Sequence, residues 1–282
     1  MSKYTHPLRP AAALLLLLML ASAASAHDTW FEAKTSKRSG RIIMALGTGN
    51  QFPVMETPID LAYLPVHACQ QGSKPLPLQG LAMTAKALLM MTQAEGDGDG
   101  EGPISCWAQS AAFELELAPD KIELYFAEVN PPPALRAHWA ALQARGLPWR
   151  ERYVKHARIE LASERLSAAT SAATPTAALM PAVSGIGMDL LMSSQQPARS
   201  GADLAFQVLR DGAPLPDFAL ELRAAEPPAE AGQWLRTDAQ GMLRIKAPAA
   251  GHWLLRGIDL RISPTRPDEW DSRFITLAFE VR

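Results

Sequence analysis

Trp270-Asp271-Ser272-Arg273-Phe274-Ile275-Thr276-Leu277-Ala278-Phe279-Glu280-Val281 (270–281) puts Ile275, Leu277, Phe279 and Val281 at every second position. A period of two marks a strand with one face in an apolar core. The pattern recurs upstream between turn signals. Leu204, Phe206 and Val208 alternate before Arg210-Asp211-Gly212, and Phe218, Leu220 and Leu222 alternate after it. Thr237-Asp238-Ala239-Gln240-Gly241 makes a second turn, Leu243 and Ile245 follow, and Gly251 precedes a strand over His252 to Arg256. Short alternating strands punctuated by turns predict an antiparallel β-sandwich domain over 186–282.

Residues 27–161 read as a second, β-rich domain with a helical insertion near 132–156. Arg41 to Leu46 is a short strand, and Gly47-Thr48-Gly49-Asn50 reads as a turn that uses glycine's backbone freedom. Gln51 to Pro65 has no clear period, and Leu81 to Thr92 fits strand or helix. Glu95 to Gly102 (EGDGDGEG) reads as a solvated acidic hairpin tip, because a calcium loop needs a longer ligand series and flanking helices. Phe113, Leu115 and Leu117 alternate with Glu114 and Glu116, a half-buried strand; Lys121 to Val129 fits a strand or a helical turn. Pro131-Pro132-Pro133 opens a helix whose Leu135, Trp139 and Leu142 share a face, and Gly146 stops it. Trp149 to His156 is compatible with helix, and Ala157 to Leu161 is extended. The Ser/Thr/Ala/Pro-rich run 162–185 has the composition of a linker or mobile loop and places the domain boundary.

The first residues carry Lys3 and Arg9, and Ala11 to Ala24 is apolar and Leu-rich. That core is shorter than the roughly 20 residues of a spanning helix. Ala24 and Ala26 close it as a small-x-small triplet, which predicts an export signal over 1–26 cut after Ala26. No twin arginine precedes it, and His27 stands where a lipoprotein has cysteine. The expectation is a soluble periplasmic protein with no membrane insertion after cleavage. The two cysteines, Cys69 and Cys106, read as a disulfide in an oxidising compartment. The competing thiolate site with His67 lacks further cysteines. The net charge is −2 with no block of Lys or Arg, so nucleic acid is not expected as a partner. A Gly-x-Ser-x-Gly elbow, a His-Glu-x-x-His helix and a Gly-rich phosphate loop are all missing, which removes the hydrolase and nucleotide readings. The seven tryptophans are spread along the chain and read as core rather than as a sugar-stacking surface.

Cleavage after Ala26 leaves His27 with an imidazole and a free α-amino group, and those two nitrogens close a chelate ring on one ion. The amine pKa lies near ~7.7–8, so a metal displaces only a weakly held proton. The competing reading is a tolerated residue in a first strand. A second imidazole would suit tetragonal copper(II), and nickel and cobalt also accept such nitrogens. His156 and His67 are the candidates for it, while His138 and His252 read as structural. Asp28 and Glu32 are candidate oxygen ligands or groups that orient an imidazole.

Four stretches, AHDTWFE (26–32), RERYVKHARIEL (150–161), TDAQGMLRIKAPAAGHWLLRG (237–257) and WDSRFITLAFEV (270–281), together resemble an uncharacterised family of exported bacterial proteins. That family is sometimes labelled the periplasmic component of a cobalt or nickel transport system. The run 237–257 also resembles the repeat of carboxypeptidase-regulatory-like domains, which are structural modules. The resemblance implies an Ig-like or transthyretin-like C-terminal module and a role in metal uptake. The expected function is therefore a non-enzymatic metal-binding accessory protein. It would serve a membrane uptake system or an outer-membrane receptor. The alternatives are an exported copper oxygenase using the same chelate and a plain Ig-like interaction module.

Overall fold

Both faces of the closing stretch are buried, not one. In the computed structural model the described residues are 27–35, 41–93, 103–161, 179–193, 198–225 and 232–282; the expected signal (1–26) and acidic loop lie outside them. The strands are, in order, β1 (Asp28–Thr35), β2 (Arg41–Gly49), β3 (Thr57–Pro58), β4 (Val66–Gln71), β5 (Lys74–Leu76), β6 (Gln79–Met83), β7 (Leu88–Gln93), β8 (Ile104–Gln109), β9 (Phe113–Leu117) and β10 (Trp149–Leu161). They continue as β11 (Met188–Met192), β12 (Asp203–Arg210), β13 (Ala213–Pro214), β14 (Ala219–Ala224), β15 (Gln233–Arg236), β16 (Met242–Lys246), β17 (Gly251–Ile262) and β18 (Trp270–Val281). Among the described residues two α-helices, α1 (Ile122–Val129) and α2 (Pro133–Ala144), interrupt them. The protein is mainly β, as the alternation predicts.

The strands of the described residues form three sheets, and the largest runs in the order β15-β14-β17-β18-β10-β8-β4-β5, with β9 beside β10. On one face Ile275, Leu277 and Phe279 meet β11, β12 and β16 through Leu190, Phe206 and Leu243. On the opposite face Ala278, Ala157, Ala108 and the Cys69–Cys106 disulfide meet β1, β2 and β7 through Phe31, Met44 and Met90. The small side chains on that second face let β1 lie close to it. Cys69 and Cys106 are opposed across the antiparallel β4–β8 pair, which brings them to bonding distance.

The largest sheet takes strands from both sides of 162–185. Its joint is a parallel pairing of β10 with β18, Glu151 opposite Trp270 through Ile159 opposite Ala278. Of the expected linker, 162–178 lies outside the described residues, and Met188 to Met192, just beyond it, is a buried strand. Arg158 binds that strand: its guanidinium donates to Glu160 at 2.7 Å and to Asp189 at 2.9 Å, all buried.

Local expectations are partly revised. Trp149 to His156 is strand, not helix, so the helical insertion ends at Ala144. The cause is that polar residues fill both buried faces, Glu151 one and His156, Arg158 and Glu160 the other, all buried by partners, which hides the alternation. Lys121 to Val129 resolves as helix, capped by Asn130 in the left-handed region at φ 48°. Gly146 stands just past α2 at φ 71°, the stop its position predicts. Leu81 to Thr92 holds the end of β6, a turn over 84–87 and most of β7. Gly47 and Gly49 belong to β2 rather than to a turn, and a Cβ at Gly49 would stand 2.3 Å from the Val54 carbonyl oxygen. Close approach, not a positive φ, requires glycine there. Trp149 and Trp270 stack at 4.4 Å beneath the helices, with Trp139 and Phe126 edge-on to Trp149.

Candidate functional site

Three side chains of the largest sheet hold the start of β1. The Lys155 ammonium donates to the His27 carbonyl at 2.7 Å, and Thr276 Oγ1 donates to the Thr29 carbonyl at 2.6 Å. Between them the Asp28 carboxylate pairs with the Arg256 guanidinium, which also bonds Glu221 at 2.9 Å. Arg256 and Asp28 are almost fully buried. Asp28 Oδ1 is buried with no hydrogen-bond partner among the described residues. Burial pushes the Lys155 pKa down to about 8, against the opposing pull of the Asp28 charge.

The His27 ring is 29% exposed and looks towards the loop after β2. The β1–β2 register sets Asp28 opposite Gly49, so the next residue, Asn50, comes beside His27. Asn50 Nδ2 donates to His27 Nε2 at 3.0 Å and to Glu56 Oε2 at 3.1 Å. The Glu56 carboxylate itself stands 3.5 Å from Nε2. Sequence reasoning missed Asn50 and Glu56. An assumed hairpin of 28–35 with 41–49 would have found Asn50, but Glu56 sits in a stretch with no periodic signal.

The other predicted site residues do not gather at His27. His156 follows Lys155 on β10 and so faces the opposite side of the sheet. Its Nδ1 lies 3.0 Å from the Phe274 carbonyl and its Nε2 3.1 Å from Gln109 Oε1. Burial pushes its pKa down to about 4; Arg273 and Arg210 add to this, and the Phe274 carbonyl opposes it. His67 lies on the same face as Lys155 but on β4, two strands from β10, about 10 Å away at ~4.8 Å per strand. Its Nδ1–H donates to the Leu64 carbonyl at 2.8 Å. Glu32 is exposed, five residues along β1 and about 17 Å from His27 at ~3.4 Å per residue. Among the described residues no three side chains of His, Cys, Asp and Glu form a set able to hold an ion. An ion at His27 therefore needs the residue's own backbone nitrogen.

Fold and site together define a mainly β protein of three layered sheets whose first strand is clamped at its start by the central layer. A family model described as "Domain of unknown function (DUF4198)" matches residues 24–258, and the chain belongs to that family. A search of curated proteins finds no match.

Proposed function

We propose that the chain is a periplasmic accessory protein that binds a divalent transition metal (copper, nickel or cobalt) at His27 and delivers it to an uptake system. Support comes from how His27 is held. Its Nε2 is turned to Asn50 and Glu56, which leaves Nδ1 and the α-nitrogen to act together as a chelate once the chain begins at His27. A metal-bound imidazole almost always donates its other N–H to a carboxylate, carbonyl or water, which fixes the ring and raises its basicity. With Nδ1 on the metal, Nε2 carries the proton; the Asn50 amide N–H then no longer bonds it, and the Glu56 carboxylate, 3.5 Å away, is the acceptor within reach. The clamp on residues 27–29 holds the backbone nitrogen still, so the chelate forms with little ordering cost. The sometimes-used cobalt or nickel label of the family agrees with this chemistry.

The copper-oxygenase alternative gains less support, because His156, the first candidate for its second imidazole, already has both ring nitrogens in contact with protein groups. Calorimetric titration of the chain beginning at His27 with copper(II), nickel(II) and cobalt(II) tests the proposal. A 1:1 site that His27→Ala removes is expected. Unchanged binding in that variant would refute it.

A further inference from the structure

The clamp on β1 also fixes what His27 itself stands beside. From Thr29 back to His27 the strand crosses from the Ala157–Thr276 rung to the Lys155–Phe274 rung. The next rung in that direction carries Tyr153, paired on its other side with Phe113 of β9. An N-terminus at His27 therefore opens towards these rings. They form a continuous row: Tyr63 to Phe113 at 5.5 Å, Phe113 to Tyr153 at 5.5 Å and Tyr153 to Phe274 at 5.8 Å between centroids. Phe274 is buried, Tyr153 and Phe113 are half-buried, and Tyr63 is 52% exposed. The Lys155 ammonium lies 5.8 Å from the Tyr153 and Phe274 centroids while it holds the His27 carbonyl. One cation, Lys155, thus joins the backbone of His27 to an apolar shelf.

Resting on the metal reading of His27, we propose that this shelf receives the metal as a complex with a small planar carboxylic acid. The ring of the acid lies on Tyr63, Phe113 and Tyr153, and its carboxylate meets the Lys155 ammonium. Two nitrogens leave most coordination positions of nickel(II) or cobalt(II) open, and an organic acid fills them without displacing the chelate. The positive charge of Lys155 disfavours a bare dication and favours one already carrying anionic oxygens. Aromatic rings give the acid its orientation, since offset and edge contacts between rings add to the apolar burial.

The test compares nickel(II) alone, the preformed 1:1 nickel(II)–pyridine-2,6-dicarboxylate complex, and the dicarboxylate without metal. Each is titrated into the chain beginning at His27 and into Tyr63→Ala and Phe113→Ala, with circular dichroism confirming the fold of each. The exposed Tyr63 makes the first variant safe for folding. The expected result is that each variant binds the complex about tenfold more weakly than the parent, the effect of one ring contact. Nickel alone should bind all three forms alike. Equal affinity of parent and both variants for the complex would overturn the proposal while leaving the metal site intact. Binding of the dicarboxylate as tightly without nickel as with it would also overturn it. Failure of nickel alone to bind the parent would remove the His27 site, and the proposal with it.

Discussion

At the scale of single residues, His27 stands out in the sequence because an export-signal pattern ends just before it, while the side chains around it do not. Asn50, Glu56 and Lys155 reach it, and Arg256 reaches Asp28 next to it, through contacts between distant segments, which leave no local mark in the chain. Glu56 tests the orientation of the ring directly. Glu56→Gln removes the carboxylate that would receive the Nε2 proton of a metal-bound His27, and metal affinity by calorimetry should fall about tenfold, the usual effect of losing such a partner. His156 was chosen as a ligand for its chemistry, and its burial instead makes it an acid-sensitive core residue. Its folded pKa of about 4 lies below the ordinary 6.5, so the native state binds fewer protons than the unfolded one between those values. The stability this contributes is complete above pH 6.5 and is lost as pH falls to 4, about 3 kcal/mol in all. Burial raises the pKa of Glu151 and Glu160, which acts with the opposite sign, so the comparison of parent with variant isolates the histidine. In urea unfolding followed by tryptophan fluorescence, His156→Gln should lose less stability than the parent from pH 6.5 to 4.

At the scale of elements, the closing strand was read from four alternating side chains, and the pattern located the strand but not its depth. Thr276 and Ala278, between the large apolar residues, look like a solvent face in sequence. They are buried because small side chains admit β1 against the sheet. β10 failed differently: its buried faces are written in Glu, His and Arg, which pair with one another and with β11 and β18. The clamp on β1 makes an energetic prediction. Arg256→Met takes the cation from the buried Asp28 carboxylate and leaves Glu221 to Arg223 alone, and breaking a buried pair in this way costs about 3–5 kcal/mol. Chemical denaturation should show that loss, and metal affinity should fall with it because the strand bearing His27 loosens. The Cys69–Cys106 bond closes a separation of 37 residues. Replacing both cysteines by alanine should lower stability by about 3–4 kcal/mol on the chain-entropy account.

At the scale of the whole molecule, the sequence suggests two modules divided near 162–185, whereas β10 and β18 lie side by side in one sheet. A parallel pair needs a long crossover and carries no hairpin signature, so alternation alone could not reveal it. The shared sheet predicts one cooperative unfolding transition for the chain. Fragments 27–161 and 186–282, expressed apart, should each lack the near-ultraviolet signal of packed tryptophans. The shared sheet also lets a strand from the first half present His27 from anchors in the second. Titration of nickel(II) into two forms of the chain, one beginning at His27 and one with a single alanine before it, tests that arrangement most directly. The account predicts a 1:1 site in the first form and loss of that site in the second, whose fold is unchanged. Equal affinity in both forms would contradict it.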